Sequence, residues 1–169
     1  MMNIVLLEPE IPSNAGNIGR TCAATGSALH LIDPLGFKLN AAAVRRSGMD
    51  YWNDLDVTRY YNYEDFMSQH PGATIYYATT KAEKNYCEVD YKDGDFIMFG
   101  KESAGIPEEI LVENREHCVR IPMGYDIRSL NLANSAAIIL YEALRQQGFP
   151  GLEEKGQLHR LSWKEEKKD

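Results

Sequence analysis

Three polar clusters in this chain hold the residue types that bind a ligand or move a proton, and each follows a short apolar run. The first is Glu8-Pro9-Glu10-Ile11-Pro12-Ser13-Asn14-Ala15-Gly16-Asn17-Ile18-Gly19-Arg20. Its glycines allow close approach of a backbone or a ligand, but their spacing is not GxGxxG, so a dinucleotide fingerprint is absent. Asn14 has the side chain of an N-cap, and Arg20 reads as either a functional cation or a surface arginine. The second is Met98-Phe99-Gly100-Lys101-Glu102-Ser103-Ala104-Gly105-Ile106-Pro107, where Glu102 leaves a loop beside Gly105. Taken alone, Glu102 reads as one more solvated acid. The third runs Arg120-Ile121-Pro122-Met123-Gly124-Tyr125-Asp126-Ile127-Arg128-Ser129-Leu130-Asn131. Ser129, Asn131 and Asn134 could cap a helix start there, or fix a loop as the floor of a binding site.

Other chemistries find no pattern. His30, His70, His117 and His159 are scattered without metal-ligand spacing, so no metal is expected. There is no GxSxG elbow and no P-loop. Cys22, Cys87 and Cys118 lack CxxC spacing and read as reduced thiols, Cys22 and Cys118 as small core residues.

The elements that must position these clusters alternate. Strands are expected at Asn3–Leu7, Ala28–Ile32, Val57–Tyr60, Thr74–Thr79, Phe96–Phe99 and Val119–Ile121, from their apolar, β-branched and aromatic content. Helices are expected from Pro12 to about Thr25, closed by Gly26, over Ala41–Arg46, over Tyr63–Gln69, after Pro107 at an N1-like position, and over Ser129–Gln147. From Leu132 to Leu144 the last helix is apolar on nearly every side except Glu142, which calls for burial all round, with a second subunit covering one face. Alternation of this kind indicates an α/β fold with a mainly parallel sheet and helices on both faces. In such a sheet ligands bind beyond the carboxyl ends of the strands, where all three clusters fall.

At 169 residues the chain has the length of one domain, expected over 1–150, with a charged and flexible tail at 151–169. The net charge of −7 argues at first against a nucleic-acid partner. That acidity is local, because residues 85–118 hold nine acids against three bases while residues 1–47 hold four bases against three acids. A basic face is compatible with this distribution, with salt-sensitive binding. The N-terminal apolar run is too short for a signal peptide and no segment is long enough to cross a bilayer, so a cytoplasmic protein without a membrane partner is expected.

Taken together and in order, Asn14…Arg20, Phe99–Pro107 and Ile121-Pro122-Met123…Ser129-Leu130-Asn131-Leu132-Ala133-Asn134-Ser135-Ala136 resemble the three motifs of the SPOUT methyltransferases. Leu6–Pro12, Arg45-Arg46-Ser47-Gly48-Met49-Asp50-Tyr51, Thr79-Thr80-Lys81 and Tyr141-Glu142-Ala143 are similar to the small tRNA (cytidine/uridine) 2′-O-methyltransferases of the TrmL type. The resemblance spans roughly residues 3–150. It implies a C-terminal deep trefoil knot, a homodimer, S-adenosyl-L-methionine as methyl donor (leaving as S-adenosyl-L-homocysteine), and the wobble ribose of a tRNA anticodon stem-loop as acceptor. Composition and periodicity predict no knot, a feature nearly absent from proteins.

By the same resemblance Ala78, Thr79, Gly100, Glu102, Ile121, Met123, Ser129, Leu130 and Ala133 hold the cofactor, chiefly through main-chain groups. Arg20 matches the family's catalytic arginine. A guanidinium stays protonated, so stabilising a phosphate or a developing alkoxide suits Arg20 better than acting as a literal base. Asn14, Glu102, Ser129 and Asn131 match the surrounding polar network. Tyr141 matches a tyrosine near the active site, or a hydroxyl buried between subunits. Arg45, Arg46 and Lys81 are candidates for tRNA phosphates. Two alternatives remain: 2′-O-methylation of another tRNA or an rRNA position, and a non-catalytic knotted protein that binds RNA or the cofactor.

Overall fold

The structure is a computed structural model and describes residues 1–38 and 55–163. Seven strands form one sheet: β1 (Asn3–Leu7), β2 (Ala28–Ile32), β3 (Val57–Tyr60), β4 (Ile75–Ala78), β5 (Lys84–Asn85), β6 (Phe96–Phe99) and β7 (Cys118–Arg120). Their order is β3-β2-β1-β6-β4-β7-β5, and every pairing is parallel. The helices are α1 (Pro12–Thr25), α2 (Tyr63–Gln69), α3 (Glu108–Glu113) and α4 (Leu132–Gln146), with a short 3-10 turn at Arg115–His117.

A parallel sheet needs crossover connections that cover both faces, so its strands are apolar throughout instead of alternating. β2 and β6 are buried at every position. On one face Ile4, Leu6, Leu29, Leu31, Ile97 and Phe99 pack with Ile18 and Cys22 of α1 and with Ala136, Ile139 and Leu140 of α4. On the other, Val5, Leu7, Tyr77 and Met98 pack with Phe66 of α2 and Leu111 of α3. Cys22 and Cys118 are buried as expected, and burial pushes the Cys22 thiol up to about 12.

Several expectations shift. α4 begins at Leu132, not Ser129: Asn131 is its N-cap, accepting N–H bonds from Ala133 (2.9 Å) and Asn134 (3.2 Å), while Ser129 and Leu130 stay in the loop. Asn14 is not an N-cap either, because Pro12 takes the first helical position and Ile11 precedes it without a side-chain bond. Pro107 is the N-cap of α3 and not its first residue. The strand expected at Val119–Ile121 starts one residue earlier, and the two-residue β5 was not expected. Gly26 does close α1, with φ 63°. Nor is α4 buried all round within one chain. Ala136, Ile139, Leu140 and Ala143 are buried, but Ile138 and Tyr141 on the opposite stripe are 37% and 46% exposed. The expected helix at Ala41–Arg46 lies outside the described residues. Among the described residues, no helix is long and apolar enough to cross a membrane.

One buried polar chain lies away from the three clusters. His30 Nε2 meets Asn3 Oδ1 at 3.2 Å, so that nitrogen carries the proton and Nδ1 must accept. Tyr60 therefore donates its hydroxyl to His30 Nδ1 (2.8 Å) and accepts from His70 Nε2 (2.8 Å). The Tyr60–His30 bond needs a neutral His30 imidazole, because Nδ1 can accept only while it is unprotonated. Burial, then the neighbouring His70, brings the His30 pKa down to about 4, with Asp56 opposing. In the unfolded chain His30 binds its proton near pH 6.5, so stability from this group is fully present above that value and declines as pH falls toward 4. Urea unfolding from pH 7 to pH 4 should lose up to about 3 kcal/mol through this site. His30→Gln should flatten the dependence by that amount relative to the wild type.

Candidate active site

The carboxyl ends of β4, β6 and β7, with the loops that follow them, enclose a cavity of about 550 Å³. The loop after β4 contributes Ala78, Thr79 and Lys81; that after β6 contributes Gly100 through Ile106. The loop after β7 contributes Ile121, Met123, Arg128, Ser129, Leu130 and Asn131, and α1 contributes Asn14. All three polar clusters thus reach one place. The sheet order explains this: parallel strands deliver their following loops to the same end, and β6 brings the second cluster beside β1 and β4.

A carboxylate sets the geometry. Glu102 accepts from the main-chain N–H of Glu10 (2.8 Å) and of Ile11 (3.3 Å), and from Asn14 Nδ2 (2.9 Å). An ionised carboxylate only accepts, so Asn14 must turn its amide nitrogen to Glu102 and its oxygen away. That oxygen receives Asn131 Nδ2 at 3.0 Å, and Asn131 Oδ1 then faces the first N–H groups of α4. Each amide in the row is oriented by the one before it. A reciprocal bond runs the other way, with Glu10 accepting from the Ser103 N–H (2.8 Å) and hydroxyl (2.9 Å). Those two bonds hold the Glu10 carboxyl below its usual range.

Lys101 is held by Glu8, 2.9 Å away, whose carboxylate raises the ammonium pKa. Glu8 has φ 52°, a left-handed backbone that disfavours a residue with a side chain by about 1–2 kcal/mol. Its N–H to Ile32 (2.9 Å) and its pairing with Lys101 keep it there. The loop after β6 folds back through Gly105 N–H to Lys101 carbonyl (2.8 Å), with Gly105 at φ 72°. Gly100 lies flush against that return, and a Cβ there would fall inside the backbone of Gly105 and Ile106.

The sequence-derived candidates divide by place. Asn14, Ala78, Thr79, Lys81, Gly100, Glu102, Ile121, Met123, Ser129, Leu130 and Asn131 all line the cavity. Ala133 is buried in the first turn of α4 and does not line it. Lys81 is paired with Glu108 at 2.8 Å. Arg20 and Tyr141 are exposed on α1 and α4 and do not line the cavity of their own chain. Arg45 and Arg46 lie outside the described residues. Sequence reasoning missed Glu8, Glu10 and Ser103, whose partners are over ninety positions away, and passed over Arg128 at the cavity wall.

An α/β parallel sheet with a cavity at its carboxyl ends, walled by three loops that a carboxylate–amide row locks together, defines the class. The sequence pattern of the SpoU rRNA Methylase family matches residues 1–141, and the chain belongs to that family. Among its relatives is the tRNA (cytidine(34)-2'-O)-methyltransferase of Escherichia coli (strain K12), 46% identical over 152 residues, which cover 89% of this chain and 97% of that protein. A solved structure described as "Structural insights into the 2-OH methylation of C/U34 on tRNA" is similar with a TM-score of 0.82 and 42% identity, covering 88% of this chain and 97% of the other. The AdoMet-bound rRNA methyltransferase from Sinorhizobium meliloti has a TM-score of 0.74 and 29% identity, over 85% of this chain and 56% of that longer one.

Gly100→Ala tests the close approach. The added methyl must displace the Gly105–Ile106 backbone, and chemical unfolding should show a loss of about 1–3 kcal/mol, the range for overpacked sites. Ala at Gly124, where nothing lies within 4 Å of the added carbon, is the control.

Proposed function

We propose that this chain transfers a methyl group from S-adenosyl-L-methionine to the ribose 2′-OH of the wobble cytidine or uridine of tRNA. The observation that carries the reading is the Glu102–Asn14–Asn131 row, which joins the three family motifs around one cavity. About 550 Å³ is within the ordinary range of small-ligand sites. The cofactor fits the wall chemistry, since Ala78, Thr79, Gly100, Ile121, Met123, Ser129 and Leu130 bring main-chain donors, acceptors and small or apolar side chains, and of the three cations on the wall Lys81 and Lys101 are paired with Glu108 and Glu8 while Arg128 lies on the exposed third loop. Ala133 supports that wall from behind. Once bound, the donor supplies an electrophilic methyl for in-line attack.

The residues of this chain orient the rest. Glu102 and Asn14 fix the first loop and Asn131 fixes the third, which presents Ser129 to the cavity, and the acceptor hydroxyl must be held within reaction distance between them. Arg20 stabilises the negative charge that develops on the acceptor oxygen or the adjoining phosphate. Because Arg20 sits on the outer stripe of α1 with Asn17 and Ala24, it meets a cavity only when a second copy covers that stripe. Ile138 and Tyr141 on the neighbouring outer stripe of α4 give that copy an apolar seat. The protein in this reading is a homodimer, with Tyr141 at or beside the shared site and Arg45, Arg46 and Lys81 toward the anticodon stem-loop.

The trefoil knot belongs to the same proposal. In its support, β7 inserts between β4 and β5, both earlier in the chain, and the segment after it returns to pack α4 on α1. We assign residues 1–150 to the knotted domain and 151–169 to a tail; no helix or strand occurs in its described part. The unpaired cysteines accord with the cytoplasm, where tRNA is modified.

Unmodified tRNA incubated with labelled methyl donor, then mapped by nuclease digestion, should carry label at nucleotide 34. Label at another tRNA position, or in rRNA alone, would sink the site assignment. Arg20→Ala should lower the rate roughly 10²–10³-fold, the scale of a lost oxyanion donor. Near wild-type turnover in that variant would remove Arg20 from the chemistry. Ile138→Asp should convert the dimer to monomers in sedimentation and lose activity with it.

A further inference from the structure

We propose that Arg120 and Arg128 grip the phosphodiesters flanking the methylated nucleotide, from two cavities that share a wall at Met123. This rests on the RNA-methylating reading above and adds to it the residues that hold the strand.

The chain is acidic, and most of the basic side chains around the site are already matched by carboxylates. Lys81 pairs with Glu108 (2.8 Å), Lys84 with Glu116 (2.8 Å), Lys101 with Glu8 (2.9 Å), Arg115 with Glu83 (2.8 Å) and Arg145 with Glu142 (2.8 Å). Such a cation must share or break its pair before it holds a phosphate. Arg120 and Arg128 differ: among the described residues neither guanidinium has a hydrogen bond or an ion pair, although both line cavities.

Arg128 belongs to the exposed loop that carries Ser129 and lines the first cavity. Arg120 ends β7, where strand geometry turns it to the opposite face from Val119, which lines the first cavity. It lines instead a second cavity of about 510 Å³ with Asn85, Pro122 and Met123. Glu83 also lines that space, but its carboxylate is held by Arg115 at 2.8 and 2.9 Å. Met123 belongs to both cavities, so they adjoin.

A guanidinium presents two parallel N–H groups that match two phosphate oxygens. A ribose seated at the first cavity has a phosphate on each side of it along the strand. One arginine on each side of Met123 suits that arrangement, and the Asn85 amide, whose side chain has no partner among the described residues, can reach a sugar or base edge.

The test uses the full chain loaded with S-adenosyl-L-homocysteine and titrated with a tRNA transcript over a series of salt concentrations. Arg120→Met and Arg128→Met should each weaken tRNA binding roughly tenfold near physiological salt. Each should also reduce the slope of log affinity against log salt by about one. Arg→Lys at either position should recover part of the affinity, since the charge remains. Product affinity and thermal unfolding should be unchanged. The exposed Lys92→Met, ahead of β6 at the opposite end of the sheet, should alter nothing. Unchanged salt slopes in both arginine variants, with the wild type binding and methylating tRNA, overturn this inference and leave the enzyme reading standing. Loss of product affinity with tRNA binding intact makes Arg128 a contact of the donor's carboxylate and overturns it as well. A wild-type protein that neither binds nor methylates tRNA overturns both readings together.

Discussion

A single carboxylate between three distant stretches of chain is the constraint from which the rest of the site follows. Glu102 draws two main-chain N–H groups from the loop after β1 and one side-chain amide from the first turn of α1. Hydrogen bonds to a charged group contribute about 1.5–3 kcal/mol each, against about 1 for neutral ones. The charge also imposes direction. Asn14 cannot flip without placing its oxygen against Glu102, and Asn131 cannot flip without setting its oxygen against that of Asn14 and leaving the first N–H groups of α4 uncapped. One ionised group therefore fixes the rotamers of two amides and the start of a helix. Any ligand in the cavity meets a wall already set, so little ordering remains to oppose binding.

That wall exists because the sheet leaves only one end available. Helices cover both faces, and parallel strands send their following loops to the same edge. The reciprocal pairs Glu10–Ser103 and Glu8–Lys101 then close the first loop on the second. Loop-closure entropy grows only slowly with length. Joining residues some ninety positions apart thus opposes folding little more than a local contact would, provided the sheet has already aligned β1 with β6.

The sequence was most legible where a signal is local. β1, β2, β3 and β6 are short apolar runs bounded by polar or turn residues, and α2 is stopped by His70-Pro71-Gly72, so their limits could be read directly. α1 ends at Gly26 because glycine adopts the left-handed turn without a Cβ penalty. Legibility fails where the cause is distant. β5 is Lys84-Asn85, two residues with no hydrophobic pattern, paired only because β7 lies beside it. Asn14 looked like a cap because its real partners, Glu102 and Asn131, are 88 and 117 positions away. Ser129 and Leu130 have helix-compatible residue types, yet Asn131 claims the cap and leaves them in the cavity wall. Glu102 looked solvated for the same reason. Only the order of three motifs, not any one of them, marked it in the sequence.

Net charge proved a weak guide for a related reason. Most of the acids in 85–118 that gave the chain its negative total are engaged. Glu102 is bound by N–H groups, and Glu108 and Glu116 are matched to lysines, which lowers both carboxyls. A matched pair projects little field beyond a Debye length, about 8 Å at physiological salt. A polyanion approaching the open end of the sheet would therefore respond to the few groups that no pair cancels. Among the described residues those groups include the guanidinium groups of Arg120 and Arg128 beside the two cavities. An acidic protein can then present an RNA-compatible surface without a broad basic patch, and its affinity would depend on a small number of well-placed guanidinium groups.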